Sequence, residues 1–175
     1  MKRTSIFSLA LLLVGFLMST VAWGQQDKSQ RASPPDSASG KIGDAMIKIN
    51  YSSPSVKGRT IWGKLVPYGE VWRSGANEAT TVEVDQDVMV EGRELPAGRY
   101  SFYTIPGEDE WTVIFNKVAD QWGTAYDEGQ DVLRVTATPR QSANMNERLI
   151  YDVTDDGIVL LWENVELPIS VKDKE

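Results

Sequence analysis

Residues 99–115, RYSFYTIPGEDEWTVIF, decide the fold. Two runs, Arg99 to Ile105 and Trp111 to Phe115, are rich in aromatic and β-branched side chains, which suit a pleated, half-buried surface. Between them stand Pro106-Gly107 and three acidic residues, a combination that halts a strand and turns the chain. The stretch reads as a β-hairpin.

The same period-two pattern extends in both directions. Ile47, Ile49 and Tyr51 alternate with Met46, Lys48 and Asn50, and Thr80 to Val84 is β-branched around Glu83. Val88 to Val90 ends at Glu91-Gly92, and Val132 to Thr138 (VLRVTAT) is halted by Pro139. Leu149 to Val153 and Ile158 to Trp162 flank Thr154-Asp155-Asp156-Gly157, a strong turn signal, and Leu167 to Val171 closes the series. About nine strands result, with short helices expected only within 61–68 and 119–130. Many short strands separated by turns predict an all-β domain, an antiparallel β-sandwich of jelly-roll or Ig-like type. No fixed-period repeat points to a propeller or solenoid.

Upstream of this domain the chain changes character. Lys2 and Arg3 precede an almost wholly apolar run, Ile6 to Met18, and Ala22 and Gly24 sit at −3 and −1 of a cut before Gln25. That is the layout of a secretory signal peptide over residues 1–24. Ile6 to Trp23 is also at the lower length limit of a membrane anchor, but the small-residue exit and the polar stretch after it favour cleavage. The mature chain then has no membrane span, and the protein is expected to be exported, periplasmic or extracellular. Residues 25–40, QQDKSQRASPPDSASG, hold almost no large apolar groups and read as a disordered linker. A single domain is expected over 41–175.

Loss of residues 1–24 removes two basic and no acidic side chains, leaving 16 Lys and Arg against 25 Asp and Glu, a net charge near −9. Such acidity repels phosphate backbones, so nucleic acid is not an expected partner. The chain has no cysteine and no histidine. That excludes a thiolate nucleophile, a Ser-His-Asp triad, a lipoprotein cysteine, and zinc or copper sites built on imidazole or thiolate. No cofactor is indicated.

The longest stretch without strand character is residues 52–79, SSPSVKGRTIWGKLVPYGEVWRSGANEA. A loop of this length is uncommon unless it is functional or disordered, and its aromatic content argues against disorder. Arg59, Trp62, Trp72, Arg73, Asn77, Glu78 and, just beyond, Thr80 form a candidate ligand-binding set. Arg73 has the fork to grip a carboxylate or phosphate, while Asn77 and Glu78 suit hydroxyl groups. Gly75 permits a sharp bend or a close approach. The competing reading makes the tryptophans a plug in one end of the sandwich, with Arg73 paired to Glu78 or Glu70. A second candidate loop, 119–131, offers Trp122 and Tyr126 for stacking on a sugar, and Asp120, Asp127 and Glu128 for hydroxyls or a hard cation. A surface lid explains the same residues. Asp152, Asp155 and Asp156 lack calcium-loop spacing and belong to turn chemistry.

The runs SPSVKGRTIWGKLVPYGEVWRSGANEATTVEV (53–84), LPAGRYSFYTIPGEDEWTVIFNK (95–117) and LLWEN (160–164) resemble the bacterial domain-of-unknown-function family 2911. The resemblance covers about residues 41–171 and implies an exported β-rich domain with no established activity. It carries no catalytic residues. Two functional classes stay open from the residues themselves. One is a non-enzymatic module that binds a small polar ligand, a glycan or a protein partner. The other is a glycan hydrolase using paired carboxylates, with Glu78 as acid and Glu70 or Asp127 as its partner. A purely structural envelope role is the third possibility.

Overall fold

The computed structural model describes residues 27–174; the signal-peptide reading of residues 1–24 lies outside them. The described chain is all-β, with ten strands in two antiparallel sheets. The six-stranded sheet runs in the order β1 (Pro35–Ile42), β2 (Ala45–Ser52), β3 (Thr80–Val84), β6 (Gly98–Ile105), β7 (Trp111–Asn116), β8 (Asp131–Ala137). The four-stranded sheet runs β5 (Arg93–Leu95), β4 (Val88–Val90), β10 (Gly157–Asp173), β9 (Arg140–Thr154). Among the described residues no helix is long and apolar enough to cross a membrane.

Alternation sets the core. Ile47, Ile49, Val82, Phe102, Val113 and Phe115 point inward from the large sheet, and Val88, Val90, Leu149, Leu160, Leu167 and Ile169 meet them from the small one. The predicted hairpin pairs Phe102 with Phe115 and Tyr103 with Ile114. The turn predicted at 154–157 joins β9 to β10, with Gly157 opposite Thr154.

Among the features that differ from the sequence reading, three stand out. Pro35–Ile42, expected as linker through Gly40, is strand β1, paired with β2 from Pro35↔Ser52 to Ile42↔Ala45. Its side chains are small and polar, so it carries no hydrophobic signal. Backbone hydrogen bonds hold it, and Gly40 lets it run close to β9, where a Cβ would lie 2.9 Å from Val153 Cγ1. Ile158 to Trp162 and Leu167 to Val171 are one strand, interrupted by register shifts around Glu163. The short helices reduce to one 3₁₀ turn, Glu128–Gln130, in the second loop, while 61–68 forms turns around a Trp62↔Val66 bridge.

The outer face of the large sheet positions the site. Asn50, Thr81, Ser101 and Asn116 stand in register across β2, β3, β6 and β7 and form a polar row. The loop after β7 folds back over one end of this row. Tyr126 packs on Tyr103 with ring centroids 4.9 Å apart, and Ala79, Tyr103 and Ile114 form a small second core beneath it. Gln121 Nε2 donates to the Tyr103 hydroxyl at 3.1 Å and to Ser101 Oγ at 3.3 Å.

Candidate functional site

The two candidate loops, 44 residues apart at Glu78 and Trp122, are joined by backbone. Glu78 and Trp122 form a β-bridge, Ala79 N–H donates to Gln121 O at 3.1 Å, and Gly123 N–H donates to Asn77 O at 3.1 Å. Positive φ values at Ser74 (50°) and Asn77 (58°) turn the chain sharply enough to bring Glu78 to this position.

Beside the bridge lies a cleft of about 500 Å³. Asn50, Thr81, Asp120, Trp122, Lys28 and Glu78 are among the residues that line it. Trp122 is 53% exposed, which is unusual for so large an apolar ring. The N-terminal segment makes a wall of the cleft. Arg31 Nη1 contacts both Glu78 carboxylate oxygens, at 3.0 and 2.9 Å, and Lys28 Nζ lies 3.0 Å from Oε1. Asn77 Nδ2 donates to Ser33 O at 3.0 Å. Across the cleft, Arg99 Nη1 donates to Asp120 Oδ1 at 2.7 Å.

A hydrogen bond from its own backbone N–H is the main influence on Glu78. Burial opposes it as the next largest influence, Lys28 and Arg31 add smaller lowering effects, and the pKa falls from 4.5 to about 2. A carboxyl with its pKa held down in this way is poorly suited to hold the proton that a general acid must donate. Its suggested partners stand apart from this cluster. Glu70 is exposed, and Asp127 accepts from Gly129 N–H at 2.9 Å to cap its own 3₁₀ turn.

A lowered folded pKa contributes stability above the unfolded value of 4.5, lost as pH falls toward 2. Because the Glu78 side chain is 40% exposed, solvent screening reduces the effect to about 1 kcal/mol. Glu78→Gln is expected to lose about that much at neutral pH and to match the parent near pH 2. Urea unfolding at both pH values checks this; an equal deficit at both would remove the charge explanation.

The remaining predicted residues do not line this cleft. Trp62 and Trp72 pack with Trp111 and Trp162 in one cluster, Trp62 edge-on to Trp111 at 4.9 Å and Trp72 stacked on Trp162 at 5.6 Å. Trp62 also borders a smaller hollow of about 200 Å³ with Tyr68 and Asn164. Arg59 is exposed, and its guanidinium closes its own turn onto Val56 O and Ser55 O. Thr80 is fully buried and donates to Ser74 O, as does Tyr151 at 2.7 Å. Gly75 accommodates the chain itself: a Cβ there would lie 2.7 Å from Thr80 Oγ1. Arg73 pairs with neither Glu78 nor Glu70. Its stem lies against Gly123, and its Nε is buried without a partner among the described residues. Tyr126 bonds Asp131 Oδ2 at 2.6 Å, and burial first, then Asp131, push its pKa to about 12.

The model of a family described as proteins of unknown function (DUF2911) matches residues 33–171. The chain belongs to that family. No curated protein and no solved structure matches it. The DUF2911 match begins at Ser33, inside the segment read as linker, in keeping with β1 as part of the domain.

Of the residues around the cleft, Lys28, Arg31, Asn50, Thr81, Arg99 and Gln121 escaped the sequence reading. Asn50, Thr81 and Arg99 were available as the polar alternates of recognised strands. Lys28 and Arg31 had no signal, because a cation in a Ser- and Gln-rich stretch looks like solvated linker.

Proposed function

We propose that this DUF2911 domain is a non-enzymatic saccharide-binding module of an exported protein, and that the cleft beside the Glu78–Trp122 bridge is its binding site. The observation that carries the reading is the half-exposed Trp122, which lines the cleft together with Asn50 and Thr81. A sugar presents an apolar ring face and a rim of hydroxyls. An exposed indole stacks on the first, and amide and hydroxyl side chains bond the second. The cleft volume is within the usual range for small-molecule sites. The N-terminal leader of residues 1–24 supports placing the module outside the cytoplasm, in a periplasm or beyond.

Calorimetric titration of the domain with a panel of soluble oligosaccharides tests the reading. Trp122→Ala is expected to weaken binding at least about tenfold, equivalent to about 1.4 kcal/mol. Its melting temperature should be nearly unchanged, since an exposed side chain contributes little to stability. Full affinity in the variant would dismiss the cleft as the site.

A further inference from the structure

The charges around the cleft run against those of the chain. The whole sequence has a formal net charge of −7. At the cleft Glu78 already has a cation to spare. Arg31 spans both oxygens of Glu78, so the Lys28 ammonium is a second cation on one acid, with its side chain 59% exposed. On the outer sheet face, Glu83 stands in register between Lys48 and Arg99, again one acid between two cations. Arg99 gives only Nη1 to Asp120, whose side chain is 82% exposed and therefore strongly screened. The other guanidinium donors of Arg99 have no protein acceptor among the described residues. Four cations face three carboxylates, and two of them, Lys28 and Arg99, line the cleft itself.

From this geometry we infer that the cleft selects a saccharide bearing an anionic substituent, a carboxylate or sulfate, held between Lys28 and Arg99 while the ring stacks on Trp122. The inference rests on the saccharide-binding reading and narrows it. A neutral sugar would leave these donors facing water. An anionic group gains charge-assisted hydrogen bonds from them, and Arg99 presents a planar fork that matches carboxylate and sulfate oxygens. A cationic sugar would find Glu78 already doubly compensated, and Asp120 is too exposed to hold it strongly.

The test compares galacturonate, galactose and sulfated galactose oligomers of equal length, titrated into the domain at low and high salt. One acidic oligomer is expected to bind at least about tenfold tighter than the galactose oligomer at low salt, and the gap should shrink at high salt as screening grows. The tighter of the two identifies the substituent as carboxylate or sulfate. In the Lys28→Gln, Arg99→Gln double variant the ratio of acidic to neutral affinity should fall toward one. Both side chains are exposed, and a circular dichroism melt confirms that the variant is folded. Equal or weaker binding of the acidic oligomers, or a preference that survives in the double variant, overturns the inference and leaves saccharide binding standing. Failure of every oligomer to bind overturns both.

Discussion

Gly157→Ala is expected to lower the melting temperature of the domain by about ten degrees. Gly157 has φ of +148°, a conformation essentially confined to glycine and costing about 1–3 kcal/mol for any other residue. The added methyl also has nowhere to go: an ideal Cβ would lie 2.0 Å from Ile169 O and 2.8 Å from Val171 N. Both are backbone atoms of β10, and both are held. Val171 N–H donates to Asp156 O at 3.1 Å, and Val171 pairs with Val90 of β4. Relief requires prising the turn away from the far end of the same strand, at about 1–3 kcal/mol for overpacking. The sum, about 2–6 kcal/mol and centred near 4, corresponds to about ten degrees for a domain of this size. Gly92→Ala is the control. Its φ is also positive (75°), but nothing lies within 4 Å of the added Cβ, so only the conformational cost of about 1 kcal/mol remains. Equal losses in the two variants, measured by thermal denaturation, would mean that the two ends of β10 do not meet as described.

The fold was legible where side chains advertise it. The β6–β7 hairpin is dense in aromatic and β-branched groups around a Pro-Gly turn, and the β9–β10 turn has its Asp-Asp-Gly sequence. β1 was invisible because its contribution is backbone pairing, and that leaves no hydrophobic trace. β10 read as two strands because Glu163-Asn164 interrupts the pattern. The chain there inserts a bulge, with Glu163 at φ 55°, rather than a loop. The site was legible only in parts. Glu78 and Trp122 were both picked out, as members of separate loops. What joins them is a bridge between backbones, and backbone hydrogen bonding leaves no mark on residue identity. The charges from Lys28 and Arg31 depend in turn on that unseen first strand, which fixes the N-terminal segment beside Glu78.

Trp62 and Trp72 were candidates for ligand contact, and their neighbours make them packing; Trp162→Ala puts this to the largest test. Trp162 is 1% exposed, lies parallel to Trp72 with centroids 5.6 Å apart, and meets Trp62 edge-on at 5.8 Å. The four rings come from three elements: the 52–79 loop supplies two, β7 supplies Trp111, and β10 supplies Trp162. The three rings around Trp162 are therefore anchored on other elements, and they do not readily collapse into the space that it vacates. The loss should reach about 3–5 kcal/mol, the upper range for truncating a buried aromatic. That predicts a fall in melting temperature of ten degrees or so. Trp162→Phe should cost much less. It keeps a ring in the stack, and it deletes an indole N–H that has no hydrogen-bond partner among the described residues, so no bond is lost. Trp122→Ala, measured alongside, should stay within about half a kcal/mol of the parent, because its ring faces the cleft and not the core. A Trp162→Ala loss no larger than that of Trp122→Ala would return Trp62 and Trp72 to the ligand site.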